Sequence, residues 1–135
     1  MEVNRANQGV PAAIEGLDIT QALENVCGNS DLLRTVLITF YKFHKRDLDK
    51  IRHCHTVGDM DSLHRIAHAL KGLSGTLAAE DLHTSSQALD THIRSRDLDQ
   101  LLGLIDRVEA DLAPTLTSIK KTLIDDIDQA CYGHH

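Results

Sequence analysis

Apolar residues recur along most of this chain at intervals of three and four, the period of an amphipathic helix. A short helix is predicted from Ile19 to about Val26, stopped at Cys27-Gly28-Asn29. After it, Leu33, Val36, Leu37, Phe40, Tyr41, Phe43, Leu48 and Ile51 keep the same spacing. They predict one helix, capped by Ser30 or Asp31 and reaching Val57, roughly 40 Å long at ~1.5 Å per residue. Gly58-Asp59 breaks the chain, and Asp59 or Asp61 caps a third helix that runs through Ala79. Its inner face carries Leu63, Ile66, Ala67, Leu70, Leu73, Ser74 and Leu77.

A fourth helix, about Ala79 to Ser95, buries Leu82, Ser86, Leu89 and Ile93. A fifth begins near Asp97 and presents Leu98, Leu101, Leu102, Ile105, Val108 and Leu112. Pro114 is expected to kink or restart it, since proline lacks an N–H and clashes with the preceding turn. Periodicity then resumes at Leu116, Ile119, Leu123 and Ile127. Short connections make successive helices antiparallel neighbours. The predicted fold is all-α: an antiparallel up-down four-helix bundle with a short additional N-terminal helix. The domain is expected over residues 17–128, with 1–16 (including Gln8-Gly9-Val10-Pro11) as tail or linker and 129–135 as a C-terminal tail.

Composition narrows the function. With aromatics at 3% and no Trp among 135 residues, the core must be built from Leu, Ile, Val and Ala. A net charge of −6 argues against a nucleic-acid binder or a binder of anionic membranes. No apolar run approaches the ~18 residues of a membrane span. Cys27, Cys54 and Cys131 lack CxxC spacing and read as reduced thiols in a cytoplasmic setting.

The third helix carries the chemistry. Its run Ala67-His68-Ala69-Leu70-Lys71-Gly72-Leu73-Ser74-Gly75 sets one imidazole among small neighbours. Each glycine inside a helix costs roughly 1 kcal/mol relative to alanine, so something other than stability favours Gly72 and Gly75. With the leucine stripe inward, His64, Arg65, His68, Lys71, Gly72 and Gly75 fall toward the other side. A neutral imidazole is a nucleophile near pH 7, its unperturbed pKa being about 6.5. It needs access, a local cation for an anionic partner, and room. Lys71 and the two glycines meet the last two needs. No phosphate-binding loop of the GxxxxGK[ST] kind is present.

The run His68-Ala69-Leu70-Lys71-Gly72-Leu73-Ser74-Gly75-Thr76-Leu77 resembles the His-x-x-Lys-Gly-x-(Ser/Ala) signature of histidine-containing phosphotransfer (HPt) domains of bacterial multistep phosphorelays. Gly16-Leu17-Asp18-Ile19, the aromatic stretch Phe40-Tyr41-Lys42-Phe43, the Gly58-Asp59 turn, and Ala79, Leu82 and Leu89 extend the resemblance over about residues 16–120. Ala78 departs from it, since many members have glycine there.

The resemblance implies that His68 is the phosphoacceptor and that Lys71 neutralises phosphoryl charge. His64, Arg65, Ala67, Gly72 and Gly75 would form the docking surface for response-regulator receiver domains. The receiver would bring Mg²⁺, and this chain would need no cofactor. No nucleic acid, no membrane insertion and a monomeric state are expected. The chain would act in the cytoplasm, free-standing or as the carboxyl-terminal domain of a hybrid sensor kinase; the linker-like 1–16 segment favours the second.

Other readings stay open beside this one. A non-catalytic docking module would share the fold and transfer nothing. A metal-binding bundle would use His64 and His68, four apart on one helix, or Glu80-x-x-His83. The second copy of that motif used by di-metal bundles is missing, so no metal site is expected. Periodicity leaves open which of Phe40, Tyr41 and Phe43 borders the face around His68.

Overall fold

The computed structural model describes residues 13–125, and every regular element among them is helical. In chain order these are α1 (Ile19–Asn25), α2 (Ser30–His44), α3 (Asp47–Val57), α4 (Met60–Thr76), α5 (Glu80–Arg94) and α6 (Leu101–Ile119). A 3₁₀ turn (Leu98–Gln100) leads into α6 and a π-helical turn (Lys120–Ile124) follows it. α4 packs along α5 and α5 along α6, while α2 and α3 close the bundle against α4 and α6. The fully buried interior consists of Leu33, Leu37, Ile51, Leu63, Leu70, Leu77, Leu89, Leu101, Ile105 and Leu112, with neighbours of the same kind. The all-α bundle with its short extra N-terminal helix is the architecture that the apolar periodicity predicts.

The predicted helix from Asp31 to Val57 is two helices, broken at Lys45-Arg46 without glycine or proline. His44 Nδ1 lies 2.6 Å from Asp47 Oδ2, and Asp47 is almost wholly buried at the first position of α3. That pair draws the two helix ends together. Leu37, Phe40, Ile51 and Cys54 all reach the same core across the break, so the apolar spacing reads as continuous. Arg52 of α3 then grips α6 through Asp106 (2.8 Å) and Glu109.

Helix ends follow side-chain chemistry. Asn29, not Ser30 or Asp31, caps α2 by accepting from Leu32 N at 3.0 Å. Asp59 caps α4, accepting from Ser62 N at 3.1 Å; Ser62 holds its carboxyl below the usual carboxylate range. α4 ends at Thr76, short of the predicted Ala79, because Ala78 turns left-handed (φ 55°). Ala79 N donates to Ser74 O at 2.9 Å, closing a Schellman-type end. Glycine is the usual residue at such a position, and a left-handed alanine costs roughly 1–2 kcal/mol. Here the Ala78 methyl is buried in the core, which offsets part of that cost. Asp18 N donates to Ala78 O and Asn25 Nδ2 to Thr76 O, both at 3.0 Å, so α1 is tied to the α4–α5 turn.

Pro114 does not restart the last helix, since α6 runs through it to Ile119. The packed unit also begins earlier than Leu17. Ile14 is buried, Glu15 N donates to Ser118 Oγ at 3.0 Å, and Thr115 Oγ1 donates to Glu15 O at 2.7 Å. Gly16 (φ +87°) lies so close that a Cβ would meet Thr115 Oγ1 at 2.5 Å. Residues 14–16 therefore belong to the bundle rather than to a tail. The Gln8–Pro11 stretch, Ile127, Cys131 and the rest of the 129–135 tail lie outside the described residues.

Candidate functional site

The leucine stripe of α4 turns inward as its period requires, with Leu63, Ala67 and Leu70 wholly buried. On the opposite side the His68 side chain is 68% exposed, at the middle of the helix. A Cβ built on Gly72 meets nothing within 4 Å, so no packing among the described residues calls for glycine there. Gly75 is also exposed; its added Cβ would make only ordinary contact, at 3.5 Å, with the His83 ring of α5.

Beneath this face lies a residue that the sequence reading did not single out. Asp90 of α5 is 1% exposed. Its Oδ1 is 2.8 Å from His64 Nε2, and its Oδ2 is 3.9 Å from both His68 Nδ1 and Lys71 Nζ and 3.4 Å from Arg94 Nε. None of these contacts is aligned as a hydrogen bond, so both carboxylate oxygens are buried and unpartnered in that sense. Four basic side chains thus converge on one buried acid. Such a group is costly to bury unless charge or a ligand compensates it. The signal was present in the sequence: Asp90 interrupts the apolar stripe of α5 between Leu89 and Ile93.

The carboxylate faces Nδ1 of His68, which leaves Nε2 on the far side of a ring whose side chain is 68% exposed. A negative charge on that side favours the proton on Nδ1 and the lone pair on Nε2. The face therefore offers an accessible nitrogen nucleophile, a lysine ammonium one turn on, and a bare stretch of helix beside them. The family model of the Hpt domain matches residues 35–130, more than half of the chain. The chain belongs to the Hpt domain family. Hpt domains carry histidine phosphotransfer in phosphorelay signalling and interact with receiver domains. No curated protein and no solved structure gives a match. The Hpt match includes all of α4 and α5, and so every residue around His68 named above.

Two motifs weighed for metal binding in the sequence have different fates in this Hpt domain. His83 Nδ1 donates to the Lys71 carbonyl at 2.8 Å and lies 3.4 Å from Ser74 Oγ. It pins α5 to α4, and among the described residues neither Glu80 nor His83 belongs to a group of three metal-ligating side chains. His64 and His68, in contrast, are joined by Asp90, their ligand atoms all within 4.8 Å of one another.

The expected docking residues divide as well. Arg65 is exposed, its Nη2 donating to Ser62 Oγ at 2.9 Å, and His64 is half-buried. Ala67 is wholly buried and offers a partner no surface, because it belongs to the inner stripe of α4. Of the three aromatics, Phe40 is core and Tyr41 is partly covered, while Phe43 is 72% exposed. Phe43 joins Ile66, Ala69 and Arg65 in a groove between α4 and the α2–α3 break, and His68 is not part of its lining. An exposed aromatic on such a rim is a typical binding anchor. Phe43→Ala is expected to weaken receiver binding about tenfold or more while leaving the thermal midpoint within a few degrees. Titration against a receiver domain and a melting curve check both halves.

No helix among the described residues is long and apolar enough to cross a membrane.

Proposed function

We propose that His68 is the phosphoacceptor and that this domain relays a phosphoryl group between aspartates of two receiver domains. The observation that carries the reading is the exposed His68 ring held with Nδ1 toward buried Asp90 and Nε2 outward, beside Lys71 and the open backbone at Gly72. In the forward step the Nε2 lone pair attacks the phosphorus of an aspartyl phosphate. The N–P bond forms as the P–O bond to the acyl oxygen breaks, and the receiver's aspartate leaves as carboxylate. The Nδ1 proton stays in place, stabilised by the Asp90 charge. The reverse step delivers the phosphoryl group to the second receiver. Phosphoryl transfer of this kind is chiefly a matter of in-line positioning and charge stabilisation, which docking supplies.

In this scheme the receiver contributes the acid pocket and Mg²⁺, and the Hpt chain needs no cofactor. Lys71 neutralises the incoming charge, Asp90 positions the imidazole, and His64, Arg65, Gly72 and Gly75 form the contact surface around it. The bacterial setting, the cytoplasmic location, the monomeric state and a place at the carboxyl end of a hybrid sensor kinase belong to the same proposal.

Incubation with a phosphorylated receiver tests it. Label should move to this chain in an acid-labile, base-stable form, and no transfer from any receiver overturns the reading. Lys71→Ala should slow transfer or shorten the phosphohistidine lifetime by about tenfold, with helical content unchanged. Wild-type transfer kinetics and lifetime in that variant contradict the role given to Lys71.

A further inference from the structure

The buried carboxylate of Asp90, ion-paired but without an aligned hydrogen bond, has a second chemical meaning. Together with His64 and His68 it forms a set of two imidazoles and one carboxylate, all ligand atoms within 4.8 Å of one another. The His64 and His68 rings stand side by side one turn apart on α4, centroids 5.9 Å apart. A zinc-type ion holds such ligands at about 2.0–2.2 Å, which puts neighbouring ligand atoms about 3.3 Å apart in a tetrahedron. The recorded approaches are 2.8 Å for His64 Nε2 to Asp90 Oδ1 and 3.9 Å for His68 Nδ1 to Asp90 Oδ2, to different oxygens of one carboxylate, so a small rotation of these side chains brings one oxygen and both nitrogens to that spacing. Both Asp90 oxygens and His64 Nε2 are buried without a hydrogen-bond partner, so the atoms that would bind are those left unsatisfied.

We propose that His64 Nε2, His68 Nδ1 and Asp90 form a binding site for a divalent transition-metal ion of the zinc class, and that occupancy silences His68. Imidazole and carboxylate ligands in this ratio suit zinc and its neighbours rather than Mg²⁺ or Ca²⁺, which take oxygen. Three protein ligands leave the fourth tetrahedral position open toward solvent, as the exposure of His68 allows. Silencing follows from the electron count on one ring. A neutral imidazole has one nitrogen lone pair in the ring plane. When Nδ1 gives that pair to a metal, Nε2 carries the proton and has no pair with which to attack phosphorus. Lys71 and Arg94, both against Asp90 Oδ2, oppose the ion with positive charge. The site is therefore built for reversible rather than permanent occupancy.

Binding stands apart from the phosphotransfer reading; silencing rests on it, and the two are measured separately. The probe is Co²⁺, followed by Zn²⁺ displacement, with the full chain carrying His134→Ala and His135→Ala to remove the terminal imidazoles. The expected result is saturable binding of one equivalent, with visible d–d bands of low coordination that Zn²⁺ abolishes. His64→Ala and Asp90→Asn should each weaken it at least about tenfold, while His92→Ala leaves it unchanged. Circular dichroism on each variant establishes that it is folded, and His64→Ala, on a half-exposed side chain, carries the test if Asp90→Asn loses structure. Binding undiminished in folded His64→Ala, or no saturation at millimolar Co²⁺, overturns the site. In the second measurement, Zn²⁺ should inhibit transfer from a phosphorylated receiver to the parent chain. In His64→Ala, each rate compared with its own zinc-free rate, inhibition should fall about tenfold in zinc sensitivity. Equal sensitivity in both chains overturns the silencing.

Discussion

Replacement of His68 by glutamine is expected to leave a folded protein that accepts no phosphoryl group. The side chain is largely exposed and makes no aligned hydrogen bond, so the change should move stability by no more than about 0.5 kcal/mol. Glutamine keeps a polar side chain of similar reach but has no nucleophilic nitrogen, because its amide lone pair is delocalised. Loss of the attacking atom should lower transfer by about 10³-fold or more. His64→Gln provides the contrast: its ring leans on Asp90 and is half-covered, so transfer should weaken but label should still appear on His68. Parallel rate measurements and melting curves on the two variants check this. Transfer that survives His68→Gln would place the acceptor elsewhere.

Gly72 should separate stability from function in opposite directions. It lies in the body of α4, where glycine costs roughly 0.5–1 kcal/mol relative to alanine, and an added Cβ there meets open space. Gly72→Ala is therefore expected to stabilise the domain by about that amount. Gly72→Phe adds a large side chain to the same exposed helix surface, one turn from His68. The fold should tolerate it, while transfer from a receiver should slow at least about tenfold because the partner's active site can no longer close on His68. Denaturant melts and single-turnover transfer on both variants check the pair. A destabilised Gly72→Ala, or wild-type transfer in Gly72→Phe, would remove the docking explanation for this glycine.

Much of this site was legible in the chain because a helix places residues three and four apart on one face. His68, Lys71, Gly72 and the inward leucines follow from that period alone. What periodicity carries within a helix it does not carry between helices. Asp90 reaches His68 only because the left-handed turn at Ala78 folds α5 back along α4. Its position in an apolar stripe was the available clue. The break at Lys45-Arg46 was hidden for a related reason. It is bridged by one side-chain pair, His44 and Asp47, while the apolar spacing passes through undisturbed. Ala67 shows the opposite error, since adjacency to His68 in sequence is a rotation of about 100° away from it on a helix. Pro114, expected to interrupt, is carried inside α6, next to Thr115, whose hydroxyl binds the incoming segment at Glu15.

The proposed relay passes phosphorus through Nε2 of His68. The direct measurement is transfer from a ³²P-labelled receiver, followed by site mapping and ³¹P–¹⁵N NMR of the product. One acid-labile, base-stable label is expected, on His68, bonded at Nε2. A label on any other residue, a bond at Nδ1, or an unlabelled chain after exposure to competent receivers would contradict it.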